Sequence, residues 1–159
     1  MGEVGCLKDG NFQNLEVENL TTYHRNVITH TANSSITLTD NDSSSLIFVN
    51  AESGTNVITL PAVANVSGGW NIRVILAATA GANCTISTVG SEKKIKGQID
   101  NVSETGISQT VPPANDAHTI TLKNGLLAGS WVELYSDGSY FYARGFGTHS
   151  SVSNLITFT

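Results

Sequence analysis

Charge is scarce in this chain: Asp, Glu, Lys and Arg together make up 13% of its 159 residues, about half the usual share. So few charges cannot furnish the long solvated faces of coiled coils or helical bundles. Thr, Ser, Asn and Val stand where Lys and Glu would otherwise be. Cysteine is almost missing as well. Two residues, Cys6 and Cys84, do not make a disulfide framework. Cys84 falls in the alternating run Asn83-Cys84-Thr85-Ile86-Ser87 and reads as a small core thiol. No run of about 18 apolar residues exists, so no helix is expected to span a membrane. A basic stretch followed by an apolar core is also absent from the N-terminal residues, which predicts synthesis and folding in the cytoplasm. The net charge of −5 argues against a nucleic-acid partner, which needs a basic stripe. The one basic cluster, Lys93-Lys94-Ile95-Lys96, reads as lysines guarding a strand edge.

Constellations that carry chemistry are lacking too. His24, His30, His118 and His149 are scattered, none with a second ligand at zinc-like spacing. No serine sits in a strained elbow, and no Cys/His pair is suggested by spacing. Asp40, Asp42, Asp100, Asp116 and Asp137 all fall in expected turns, where Asp is favoured for bonding the backbone. Asp40-Asn41-Asp42 lacks the glycine and distal Glu of a calcium loop. The expectation is a protein without enzymatic activity, cofactor or metal.

What the chain does have is β signal. β-branched residues suit strands, while Asn, Ser and Gly suit turns. From Val27 onward short strand candidates recur at even spacing: Val27–Thr31, Ile36–Thr39, Leu46–Asn50, Val57–Leu60, Trp70–Ala77, Asn83–Val89, Lys94–Ile99, His118–Leu122, Trp131–Ser136, Ser139–Arg144 and Val152–Phe158. This pattern predicts an all-β domain, a β-sandwich or jelly-roll-like antiparallel fold. Leu46-Ile47-Phe48-Val49 and Val74-Ile75-Leu76 are continuous apolar runs and read as central strands buried on both sides. Residues 100–117 contain Pro112-Pro113 and read as a long surface loop.

Residues 1–26 differ from the domain at 27–159. Gly2, Gly5 and Gly10 precede NFQNLEVENL, in which Leu15 and Val17 alternate with Glu16 and Glu18. Phe12, Leu15, Val17 and Leu20 are too few to bury much surface alone. Two readings follow: an extended arm that docks on a neighbouring subunit, or a first strand of the same domain. The arm is favoured, because apolar anchors on a glycine-rich leader suit a segment that orders on binding.

The richest segment is Trp131 to Gly145, WVELYSDGSYFYARG. Asp137-Gly138 is a strong hairpin signal. With that turn Ser136 faces Ser139, Tyr135 faces Tyr140, Leu134 faces Phe141, Glu133 faces Tyr142, Val132 faces Ala143 and Trp131 faces Arg144. Val132, Leu134, Phe141 and Ala143 then share a core face. Trp131, Glu133, Tyr135, Tyr140, Tyr142 and Arg144 share the other, which is too aromatic for ordinary solvent contact. These six are the candidate subunit interface.

The ITLP tetrad at 58–61, the ending WVELYSDGSYFYARGFG at 131–147 and the opening KDGNFQNLEVENL at 8–20 resemble β-rich domains of tailed-bacteriophage virion proteins. That group includes capsid decoration (cement) proteins, head fibres and tail-fibre or spike modules. The resemblance covers residues 8–147. It implies a homotrimer without enzymatic activity, located on the virion. The absence of coiled-coil heptads or collagen-like repeats favours a compact piece on the head surface over a full tail fibre. The expected partners are copies of the chain itself and the major capsid protein, with no nucleic acid and no membrane. A receptor- or carbohydrate-binding module of a tail or head fibre is the alternative.

Overall fold

A computed structural model describes residues 26–103, 106–113, 116–149 and 155–159. Twelve strands run through them: β1 (Val27–His30), β2 (Ser35–Thr37), β3 (Ser45–Val49), β4 (Asn56–Thr59), β5 (Asn71–Leu76), β6 (Cys84–Ser87), β7 (Ile95–Ser103), β8 (Gly106–Thr110), β9 (Thr119–Leu122), β10 (Trp131–Ser136), β11 (Phe141–His149) and β12 (Ile156–Phe158). Among the described residues the only helical pieces are three single 3-10 turns, at Asp40–Asp42, Val63–Asn65 and Val89–Ser91. Every strand candidate has its counterpart, and β8 is the addition. The expected arm, with Phe12, Leu15, Val17 and Leu20, lies outside the described residues apart from Asn26.

The strands form two sheets, a larger one ordered β1-β3-β5-β10-β11-β7-β8 and a smaller one ordered β12-β9-β6-β4-β2. The all-β, sandwich-like expectation holds. The antiparallel expectation does not: the sheets are mixed. β1, β3 and β5 run parallel in one sheet, β2, β4 and β6 run parallel in the other, and β7 lies parallel to β11. The chain passes from one sheet to the other at each step, so it winds through three stacked coils, β1–β2, β3–β4 and β5–β6. Parallel neighbours need a crossover connection, and here the crossover is a strand of the opposite sheet. Only after β6 do antiparallel ladders enter, at β6/β9, β9/β12, β5/β10, β10/β11 and β7/β8.

The core lies between the sheets. In the smaller sheet one row crosses every strand: Ile36, Ile58, Ile86, Ile120 and Phe158 are successive register partners. The larger sheet opposes it with Ile28, Ile47, Val74 and Val132. Trp70 and Phe141 close one end in an edge-to-face pair, ring centroids 5.7 Å apart, and the Trp70 indole N–H donates to the Thr39 carbonyl at 3.2 Å. Cys84 is fully buried, and burial pushes its thiol up to about 12.

Two further expectations are corrected. The stretch 100–117 is not a loop throughout, because β7 runs on to Ser103 and pairs with β8. Asp100 therefore sits in a strand, where its Oδ1 accepts from the Gln109 side chain at 2.9 Å. Polar residues on both strands hide the alternation that would announce them. Nor are the apolar runs at 46–49 and 74–76 buried on both sides. Ile47, Val49, Val74 and Leu76 are in the core, while Leu46, Phe48 and Ile75 are only half-buried on the outer face of the larger sheet.

Candidate functional site

The β10–β11 hairpin carries the predicted face, in a different register. Trp131 pairs with Phe146, Glu133 with Arg144, Tyr135 with Tyr142 and Ser136 with Phe141. The pairing has slipped by two positions from the expected one, so each residue keeps its face and changes its partner. The cause lies in the turn. Asp137 does not occupy a central position. Its Oδ1 accepts the backbone N–H groups of Ser139 and Tyr140, both at 2.7 Å, and its own N–H donates to the Tyr140 carbonyl at 3.2 Å. The turn is centred on Gly138-Ser139, with positive φ (+88°) at Gly138 alone, the pattern that puts Gly first in a type II′ hairpin. Those backbone N–H bonds, first from Tyr140 and then from Ser139, hold the Asp137 carboxyl below the usual range.

Five of the six predicted residues therefore stand together on the outer face of the larger sheet, in three rows set by register. One row reads Phe48, Ile75, Trp131, Phe146. The next reads Val27, Leu46, Arg73, Glu133, Arg144. The third reads Asn71, Tyr135, Tyr142, Lys96. Tyr140 lies past the end of β11, where the ammonium groups of Lys96 and Lys94 approach its ring at 3.6 and 5.0 Å. The rings are open to solvent: Tyr142 is 42% exposed, Tyr135 38% and Phe146 37%. Strands 4.8 Å apart and residues 3.3 Å apart make this face roughly 24 Å by 13 Å between Cα positions.

Glu133 anchors the middle row. It is nearly buried, and its carboxylate accepts from Arg73 Nε at 2.5 Å, from Arg144 Nε at 2.7 Å and from the Tyr135 hydroxyl at 3.0 Å. A terminal guanidinium nitrogen of each arginine also pairs with it. Burial alone would raise the Glu133 pKa. The bonds from Arg144, Tyr135 and Arg73 and the nearby Arg73 charge outweigh it, so the group titrates below the ordinary carboxylate range. Both arginines also stack: Arg73 lies 4.8 Å from the Trp131 ring centroid and Arg144 lies 5.5 Å from that of Tyr135. Glu133 and Arg144 thus pair within one chain. Arg73, Leu46, Phe48, Ile75 and Phe146 were not foreseen as part of this face. Only the register between strands far apart in sequence brings them to it. Arg73 alone carried a signal, as a lone cation within an apolar run.

Elsewhere the chemistry stays sparse. Among the described residues no three His, Cys, Asp or Glu side chains gather where they could hold a metal. A cavity of about 430 Å³ opens beside Leu38, Asp40, Asn41, Pro61 and Val89. No described helix is long and apolar enough to cross a membrane. No protein-family model matches the sequence, and no curated protein matches it.

Proposed function

We propose that this chain is a non-enzymatic structural protein of a tailed-bacteriophage virion, a homotrimeric decoration (cement) protein. In this reading it is made in the host cytoplasm and binds and stabilises the head shell. The outer face of the larger sheet joins copies to one another, and the trimer rests on the major capsid protein. One observation supports this above others: the one carboxylate within the aromatic face, Glu133, is already paired. Covering an unpaired carboxylate would cost several kcal/mol. Glu133 is saturated by two guanidinium groups and a hydroxyl, so a partner can dry the face and gain from Trp131, Tyr135, Tyr142 and Phe146. Central aromatic and arginine side chains are the usual anchors of such contacts.

The test is sedimentation of purified protein together with binding to undecorated shells. The wild type is expected to run as a trimer at micromolar concentration and to saturate regular sites on the shell. Tyr142→Ser with Phe146→Ser should yield monomers that remain folded, with an unfolding midpoint lowered by the loss of the trimer contacts. A monomeric wild type that binds no shell defeats the proposal.

The glycan-binding alternative has one observation of its own. The Tyr142 hydroxyl donates to Asp137 Oδ2 at 3.0 Å, which sets an exposed ring beside a carboxylate, a pairing suited to a sugar's apolar face and hydroxyls. Against it, guanidinium groups already lie over Trp131 and Tyr135. Glycan-array binding lost on Asp137→Ala, with no affinity for shells, would replace the first reading by this one.

A further inference from the structure

Drying the aromatic face leaves one charge to be met from outside. Arg73 and Arg144 share a single carboxylate, that of Glu133. Lys96, the third cation of the three rows, stands 3.8 Å from Asp116. One positive charge therefore has no counterion on the face, and the Arg144 side chain that shares it is 63% exposed. Burying a cation without a partner is costly. A second copy laying the same face against this one would bring a second such charge, and like charges across a contact repel. The surface that covers this face must bring a carboxylate instead.

The chain itself supplies a candidate. Among the described residues, Asp42, Glu52, Asp100, Asp116, Glu133 and Asp137 each accept a hydrogen bond or an ion pair within the chain. The side chains of Asp40 and Glu92 have no such partner among those residues. Both belong to one place. Asp40 lines the cavity of about 430 Å³, and Glu92 caps the turn Val89–Ser91, whose Val89 lines the same cavity. Leu38, Pro61 and Ala62 make its walls largely apolar, and Val89 is 42% exposed. An apolar hollow flanked by two unpaired carboxylates complements an aromatic surface with an unbalanced guanidinium charge.

The two surfaces also flank the same end of the sandwich. The row of Asn71, Tyr135 and Tyr142 borders the end that Trp70 and Phe141 close, and the Trp70 indole bonds the Thr39 carbonyl, next to Asp40. A patch matched to itself stops at a pair of copies, whereas two unlike patches on one molecule can close a ring.

We infer that copies of this chain meet by unlike surfaces: Tyr142 and Arg144 of one copy sit against the cavity beside Asp40, Val89 and Glu92 of the next. This arrangement rests on the trimeric reading above and adds to it the surface that receives the aromatic face.

Asp40→Lys with Glu92→Lys tests it in the full chain. Both side chains are exposed, so the variant is expected to keep the wild-type circular dichroism. Its self-association should weaken at least roughly 100-fold, because cations replace the carboxylates that face Arg144. Mixing gives a second readout. This variant keeps its aromatic face, and Tyr142→Ser with Phe146→Ser keeps its cavity. Native mass spectra of the equimolar mixture should therefore show pairs made of one copy of each, while neither variant alone forms pairs. A wild-type trimer that survives Asp40→Lys with Glu92→Lys unchanged overturns the arrangement and leaves the trimer standing, and so do variants that stay apart when mixed. A monomeric wild type overturns both.

Discussion

Glu133 shows how a single residue sets the terms for a whole face. An acid in the middle of an aromatic face would ordinarily forbid close contact with a partner. Two arginines and a tyrosine remove that obstacle by giving each carboxylate oxygen a donor. The same bonds depress its pKa, and a depressed carboxylate pKa fixes the sign of the pH dependence. The folded state favours the ionised form more than the unfolded state does. This stabilisation is fully present above the unfolded value of about 4.3 and is lost as pH falls below that, through the lower folded value. Glu133→Gln keeps the shape and gives up the charge. At pH 7 the variant is expected to be less stable by about 1.5–3 kcal/mol, the range for hydrogen bonds to charged groups. Below about pH 4 the two proteins should converge, since the wild type alone loses this contribution there. Urea midpoints at pH 7 and pH 3 measure the difference. A gap that persists unchanged at pH 3 would mean that the charge is not what the arginines recognise.

At the scale of elements, the edge of β12 is closed by one side chain. Asn101 on β7 is buried and acts as a peptide group would. Its Oδ1 accepts the Ile156 N–H at 2.9 Å, and its amide nitrogen donates to the Ile156 carbonyl at 3.3 Å and to Thr110 Oγ1 at 2.9 Å. Gly147, the neighbour of Asn101 in the ladder, leaves the space: a Cβ there would stand 2.7 Å from Asn101 Oδ1 and 3.1 Å from Ile156. Asn101→Ala should cost about 1–3 kcal/mol, because the Ile156 groups lose their partner. Asn101→Asp should cost more, since a carboxylate would face the Ile156 carbonyl in a dry site. Denaturation gives the two losses, and hydrogen exchange should place the loosening at 156–158. Equal losses for the two variants would show that shape alone matters.

Elements are also where the sequence was most and least legible. Alternation marked eleven strands, the core side of the hairpin and five residues of the outer face, because a period of two is a local property. Partner choice is not local. Nothing in Leu46 or Arg73 says that they lie side by side, so the parallel coils and most of the outer face stayed hidden. The hairpin register was missed for a smaller reason. Asp137 was assigned to the centre of the turn, whereas its carboxylate serves better at the rim, accepting two N–H groups. β8, reading GISQT and almost wholly exposed, has too little apolar pattern to distinguish it from a loop.

Over the whole molecule, the two sheets are tied into one unit by the isoleucine row of the smaller sheet. Ile58 lies at its centre, fully buried, with Ile36 and Ile86 beside it on strands that come from different coils. The coils and the later antiparallel strands therefore share a single core. Two independently melting parts would need two cores, and the buried residues form one continuous cluster. Ile58→Ala is expected to cost about 2–5 kcal/mol. The cost should appear equally in every probe. Trp70, nearly wholly buried, reports on the end of the core, and far-ultraviolet circular dichroism reports on all strands. In wild type and variant alike the two signals should move together along one transition, displaced in the variant to lower urea with unchanged slope. If strand signal were lost before the fluorescence of the two tryptophans, Trp70 and Trp131, in the variant, the coils would be separable from the rest. The isoleucine row would then belong to the coils alone and would not be the joint between the two halves of the fold.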